Sequence, residues 1–460
     1  MTSQGIEKWF RRLLPSPFSM ALILTILTFV LAYYFGQFST QDSRFVFILK
    51  SWKTGFWNPS LMRFLVQMML MLVLGHILAL SPIVKRWIDV LLRGIDSSGK
   101  AVLLISFSSI LLGLFNWGLA LIGSAILARK IAEHAKKQQF KINYPLIVAA
   151  AYASLMVWHG GISGSAPAKV AEPGHIKQLM SHLMSPEQLT QLPDVIDYGE
   201  TIFSKMNGFV CLALLIFLPS LLYFINKKTS QSIPDIDFGK ELEKQLVETA
   251  FGAEKMDSSV WFSRVLGFMI LFVAALDLFS WSPSLLQTFT PDWINLVFLG
   301  LALLSHQHIK GFLKAAEEAI SGSVGILIQF PFYFGIMGMM NASGLVEQMS
   351  TLFIQVSTTQ SLPLFTFFSA GLVNIFIPSG GGQWAVQGPI SIQAAESLKL
   401  SYSKLVMALA YGDQLTNMLQ PFWALPLLGI TKLKASQILP YTLILFLLGL
   451  VIYGSALLIF

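Results

Sequence analysis

The run Phe376-Ile377-Pro378-Ser379-Gly380-Gly381-Gly382-Gln383-Trp384 interrupts an apolar stretch from Leu362 to Ala394 that is too long for one membrane-crossing helix. Proline breaks a helix and successive glycines weaken one, and in lipid every backbone polar group needs a partner. The stretch therefore reads as a re-entrant hairpin with its tip facing protein or a water-filled cavity. Ala101 to Leu127 has the same character, broken at Asn116-Trp117-Gly118.

The surrounding chain fits that reading. Of 460 residues, 54% are hydrophobic and 12% charged, about half the charged fraction of an ordinary soluble domain. Mean hydropathy is +0.65. Such a chain is a polytopic membrane protein, which excludes a soluble enzyme. The net charge of +7 then reads as topology rather than nucleic-acid binding. A single cysteine, Cys211, leaves no intramolecular disulfide and no thiolate metal cluster to expect.

Full-length spans are expected near 18–36, 64–80, 145–159, 201–225, 261–280, 293–305, 320–340, 402–428 and 437–460. The first, after Lys8, Arg11 and Arg12, reads as a retained span rather than a cleaved leader, being too long and lacking an Ala-x-Ala exit. With the N-terminus inside and both hairpins returning to their side of entry, 21 Lys and Arg fall inside and six outside. Three of the six, Arg44, Lys50 and Lys53, share a first outer loop. An amphipathic helix is expected near 239–251.

The halves repeat. Leu114-Phe115-Asn116 returns as Leu372-Val373-Asn374, Val148-Ala149-Ala150-Ala151-Tyr152 as Met407-Ala408-Leu409-Ala410-Tyr411, and Pro167 as Pro426, at offsets of 258 or 259. The expected fold is thus all-α and polytopic, with two inverted halves, each holding a hairpin and a broken transmembrane helix. Residues 1–225 form the first half, with its hairpin at about 101–128 and broken helix at about 144–168. Residues 226–290 are a cytoplasmic linker and connector helix. The second half, 291–460, has its hairpin at about 362–394 and broken helix at about 402–428. Inverted repeats with paired broken helices place a substrate site near the bilayer midplane, so secondary transport follows.

The quoted run, continued by Gln387-Gly388-Pro389, resembles the signature of the short-chain fatty acid transporter family of the ion transporter superfamily. Asn116-Trp117-Gly118, Gly161-Ile162-Ser163-Gly164-Ser165-Ala166-Pro167, Gln329-Phe330-Pro331-Phe332-Tyr333, Ala410-Tyr411-Gly412-Asp413-Gln414 and Gln420-Pro421-Phe422-Trp423-Ala424-Leu425-Pro426 resemble it too, so the likeness covers the whole chain. It implies a bacterial inner-membrane carrier of short-chain monocarboxylates such as acetoacetate or butyrate. His159 stands where the family pattern has Gly, Gln383 where His is frequent, and Asp413 where Glu occurs. Fold analogy with elevator carriers of that superfamily makes a homodimer a further expectation.

A short fatty acid needs donors for its carboxylate and a shallow apolar pocket. Arg63 and Arg264 lie at span starts, where long basic chains reach the interface, so the donors fall to backbone and neutral side chains. Candidate substrate contacts are Asn116, Ser163, Ser165, Asn374, Ser379, Gly380, Gly381, Gly382, Gln383, Trp384, Gln387 and Gln420. Trp117, Trp158 and Trp423 would wall the tail. Asp413, inside a broken helix, is the candidate for coupling Na⁺ or H⁺, with Asn116 and Asn374 beside it; a carboxylate at that depth needs a cation, a proton or a partner. His76 and His159 are candidate proton relays. No other cofactor, metal or catalytic residue is expected. Gly161-Ile162-Ser163-Gly164 also matches a four-letter intramembrane protease pattern, and a channel is a further class, but neither calls for paired hairpins. A dicarboxylate carrier of the same architecture is the closer alternative.

Overall fold

A computed structural model describes residues 17–38, 43–181, 184–234, 252, 254–279, 290–306, 308–355, 357–420 and 422–460. The expected amphipathic helix near 239–251 and the basic residues Lys8, Arg11 and Arg12 lie outside them. Among the described residues the chain is helical throughout, without strands apart from one isolated bridge between Ile142 and Ser232.

The first half runs α1 (Pro17–Phe35), α2 (Arg44–Phe56), α3 (Pro59–Leu80), α4 (Pro82–Leu92), α5 (Ser98–Phe115), α6 (Trp117–Lys137), α7 (Tyr144–Tyr152), α8 (Ser165–Val170), α9 (His175–Met180), α10 (Pro186–Gln191) and α11 (Lys205–Lys228). Then come α12 (Glu254–Asp257) and α13 (Val260–Phe279). The remainder is α14 (Pro291–Ser305), α15 (Ile309–Ile320), α16 (Val324–Ala342), α17 (Leu345–Gln355), α18 (Leu362–Phe376), α19 (Gly380–Leu398), α20 (Tyr402–Thr416), α21 (Ala424–Thr431) and α22 (Ala435–Ile459).

Seven helical segments among the described residues are long and apolar enough to cross a membrane, and three shorter apolar helices, Ala21–Phe35, Pro291–Ser305 and Leu362–Phe376, accompany them. The protein is a multi-pass membrane protein. Its outer surface carries exposed apolar side chains along these helices, including Phe268, Met269 and Phe272 on α13 and Leu447 and Val451 on α22. That is the surface expected of helices bathed in lipid.

One expectation changes here. The first outer loop is a helix: Arg44, Lys50 and Lys53 sit exposed on α2, which packs on α16. A Cβ on Gly55 would meet the Phe334 carbonyl oxygen at 2.3 Å, so glycine sets the closeness of that crossing. The lysine-rich segment beginning at Arg129 continues α6, and Arg129 is buried, 2.9 Å from Glu133 and bonded to His76. An arginine there has a carboxylate and an imidazole to satisfy it, which neither charge counting nor hydropathy registers.

Each of the two stretches is a pair of contacting helices joined by a short break. Asn116 is extended and its Oδ1 accepts from Leu119 N–H, ending α5 and starting α6 in a single residue. Pro378 pushes Ile377 out of helical geometry (φ −120°, ψ 77°), Ser379 caps the next helix, and α18 and α19 are pinned together by Gln383 Nε2 donating to the Ala370 carbonyl. The interrupted helices follow: α7 passes through 3₁₀ turns at 153–156 and 158–160 before α8, and α20 stops at Thr416 before α21 resumes at Ala424.

Candidate functional site

The two interruptions meet. Tyr152, at the end of α7, donates its hydroxyl to the Asn417 carbonyl at 2.8 Å, and His159 N–H donates to Gln414 Oε1 at 3.0 Å. Tyr411 donates to Asn207 Oδ1, and Asn207 Nδ2 donates to the Gly160 carbonyl. Gln414 thus serves a backbone N–H of the first break and Tyr152 a carbonyl of the second, while Asn207 of α11 serves Gly160, the condition for irregular backbone inside a bundle.

The second hairpin tip reaches this junction. A Cβ on Gly380 would lie 2.6 Å from the His159 ring and 3.0 Å from Trp158. His159 Nε2 lies 3.1 Å from Asp413 Oδ1, with both side chains buried.

On its other flank the tip borders a cavity of about 180 Å³, lined by Leu61 and Phe64 of α3, Phe334 and Met337 of α16, Pro378, Ser379 and Phe422. It lies below the usual range for drug-sized ligands, about 300–1,000 Å³, and suits a small one. Ser379 is its single hydroxyl. Ser379 Oγ accepts from Gly382 N–H at 3.3 Å, which leaves its own proton to donate. The first N–H groups of α19, at Gly380 and Gly381, have no partner within the helix, and Gly381 is exposed. Aromatic rings continue the wall: Phe422 stacks on Phe330 at 4.0 Å, and Trp423 meets Trp117 at 5.1 Å.

The candidate residues divide by what they touch. Ser379 lines the cavity, and Gly380, Gly381 and Gly382 open the adjoining helix. Asn374 is fully buried and donates to the Asp413 carbonyl, Thr416 Oγ1 and Asn417 Oδ1; Gln420 Nε2 donates to the Asn374 carbonyl. Gln383 Nε2 also donates to Gln387 Oε1, and Gln387 Nε2 to Ser369 Oγ, so this pair ties α18 to α19. Ser163 Oγ accepts from Trp117 N–H, linking the first tip to the first break. Ser165 opens α8, half-buried, and Asn116 caps α6.

Trp117, Trp158 and Trp423 gather at the junction, but Trp384 turns away. Its ring is buried against the cluster that holds α8, α9 and α19 together, and Nε1 donates to His175 Nε2 at 3.0 Å. Burial, then the nearby Lys169, lowers the His175 pKa from its ordinary 6.5, with Glu172 opposing. The folded state therefore favours the neutral ring, which accepts the indole N–H. This contribution is complete above pH 6.5 and is lost as pH falls through the depressed folded value. The gap in melting temperature between the native protein and His175→Ala should shrink toward acid; a gap independent of pH would refute the bond.

The cavity walls escaped sequence reading. Leu61, Phe64, Phe334, Met337 and Phe422 are ordinary span residues, and helical spacing assigns them to lipid or core equally well. Asn207 was also unmarked; a polar residue one turn into an apolar span was its only signal.

Apolar spans around interrupted helices, with buried amides at the breaks and a small cavity beside them, define a membrane transport protein rather than an enzyme. The chain belongs to the short chain fatty acid transporter family, whose model matches residues 2–460. A relative from Haemophilus influenzae is 35% identical over 447 residues, 95% of each chain, and one from Escherichia coli K12 is 34% identical over 462 residues, 100% of this chain and 99% of its own. Both carry the name "Putative short-chain fatty acid transporter". Among solved structures, the YdaH transporter of Alcanivorax borkumensis aligns over 96% of this chain and 98% of its own at 16% identity, with a TM-score of 0.44, a likeness too slight to define the fold.

Proposed function

We propose that the protein is a secondary transporter that takes up short-chain monocarboxylates, acetoacetate or butyrate, across the bacterial inner membrane with a coupled cation. The cavity beside Ser379 carries this reading: it is small, walled by apolar side chains, and has one hydroxyl next to a helix N-terminus. The carboxylate is held by Ser379 Oγ–H and the N–H groups of Gly380 and Gly381, where the helix dipole favours an anion. The acyl tail points among Phe64, Phe334 and Phe422. Asn374 and Gln420 hold the second tip on the broken helix that bears the coupling residue, Asp413, while Ser163 holds the first tip, which Asn116 caps, on the other broken helix. The remaining candidates, Ser165, Gln383, Trp384 and Gln387, support these tips.

The inverted arrangement, 1–225 against 291–460 with 226–290 between, is supported by the equivalent order of elements. The broken helices begin at Tyr144 and Tyr402, and their second segments at Ser165 and Ala424. These separations, 258 and 259, repeat the sequence offsets.

Calorimetric titration of the protein in nanodiscs tests the reading without the leak of weak acids across liposomes. Butyrate and acetoacetate should bind, succinate more weakly, because one serine and one helix terminus satisfy a single carboxylate. Ser379→Ala removes a bond to a charged group, worth about 1.5–3 kcal/mol, so affinity should fall roughly tenfold or more. Tighter binding of succinate than butyrate would overturn the monocarboxylate reading in favour of a dicarboxylate carrier.

A further inference from the structure

We propose that the coupled cation is a proton, carried by the buried His159–Asp413 pair and brought in with each carboxylate; this deepens the transport reading above and rests on it. His159 is fully buried and Asp413 is 1% exposed, with Nε2 and Oδ1 3.1 Å apart. Among the described residues neither ring nitrogen of His159 nor Asp413 Oδ2 makes a hydrogen bond, so the pair meets at ion-pair distance alone. Two titratable side chains left partly unsatisfied at this depth are expensive unless their charge changes during the working cycle.

The elements packed against the pair supply no rival charge. Their other titratable groups are the phenols Tyr144, Tyr152, Tyr223, Tyr402, Tyr411, Tyr441 and Tyr453, the thiol Cys211, and Lys100, Lys169, Lys205, Lys227, Lys228, Glu396 and Lys404. All of the charged ones are exposed except Lys404, which is half-buried. No arginine or lysine among them reaches the tip. With His159 neutral, the pair has a net charge of minus one and repels an anion. Adding one proton to the imidazole makes the pair neutral and places a cation against Gly380, at the helix terminus proposed to hold the carboxylate.

The cycle balances simply. From the outer face, one proton binds the imidazole of His159 and one carboxylate binds at the tip, with no covalent bond made or broken in the acid. At the inner face both leave, and His159 returns to the neutral form beside ionised Asp413. The pair thus supplies the mobile positive charge that the span sequences lack.

Titration of butyrate in nanodiscs, in sodium-free buffers of different ionisation enthalpy, counts the protons taken up on binding. The expected count approaches one per butyrate, and affinity falls up to tenfold per pH unit where the pair is unprotonated. His159→Gln and Asp413→Asn should each reduce the proton count toward zero, with their melting temperatures reporting whether the fold is kept. A count near zero in the native protein together with a sodium requirement overturns the proposal while leaving monocarboxylate binding intact. An undiminished count in both folded variants overturns it as well. Absence of butyrate heat in the native protein, by contrast, defeats the monocarboxylate reading and this inference together.

Discussion

Gly380→Ala should lower butyrate affinity at least tenfold, about 1.4 kcal/mol, in a protein that still inserts and folds. The added methyl carbon would lie 2.6 Å from the imidazole of His159 and 3.0 Å from Trp158. The imidazole has nowhere simple to move: it lies against the Trp158 ring, 3.7 Å between centroids with the planes tilted by 38°, and its Nε2 faces Asp413. Overpacking of this kind costs about 1–3 kcal/mol, and here the strain falls on the tip that holds the carboxylate. Gly208→Ala is the control, since a Cβ there meets nothing within 4 Å and the residue lies on α11, away from the tip. Native butyrate affinity in Gly380→Ala would show that the tip does not bind substrate.

Phe64→Ala should move selectivity toward longer acids. Phe64 separates the cavity from the Trp117 and Trp423 rings, with centroids 6.2 and 6.1 Å away, so its removal extends the pocket toward the aromatic cluster. A methylene in a fitted apolar pocket is worth about 1–3 kcal/mol, so the ratio of hexanoate to butyrate affinity should rise roughly tenfold or more. Phe64 is only partly buried, which limits the cost to folding. An unchanged ratio would place the acyl tail elsewhere.

The helix breaks were readable because their causes are local. Pro378 with the Ser379 cap, or Asn116 alone, act through φ, ψ and capping, and a capping side chain declares itself within three residues. The helical character of 44–56 was less visible, because three basic residues spread around it dilute a buried strip at Ile48 and Gly55 that matters only once α16 lies against it. Trp384 shows the same limit. Its place beside the triple glycine suggested a ligand wall, but a helix turns about 100° per residue, and that rotation directs the indole toward His175.

Composition and hydropathy by themselves determined a multi-pass helical membrane protein, since apolar spans of this length have few other stable environments. The same sequence marked the two helix–break–helix stretches, the interrupted helices and the ionisable Asp413. Only the tertiary structure decided that the two interruptions pack together, that His159 is the neighbour of Asp413 across 254 positions of chain, and that α3 and α16 close a small cavity against Ser379. Those facts depend on which faces of distant helices meet. Side-chain volumes and buried hydrogen bonds settle that choice jointly, and no local pattern in the chain encodes it.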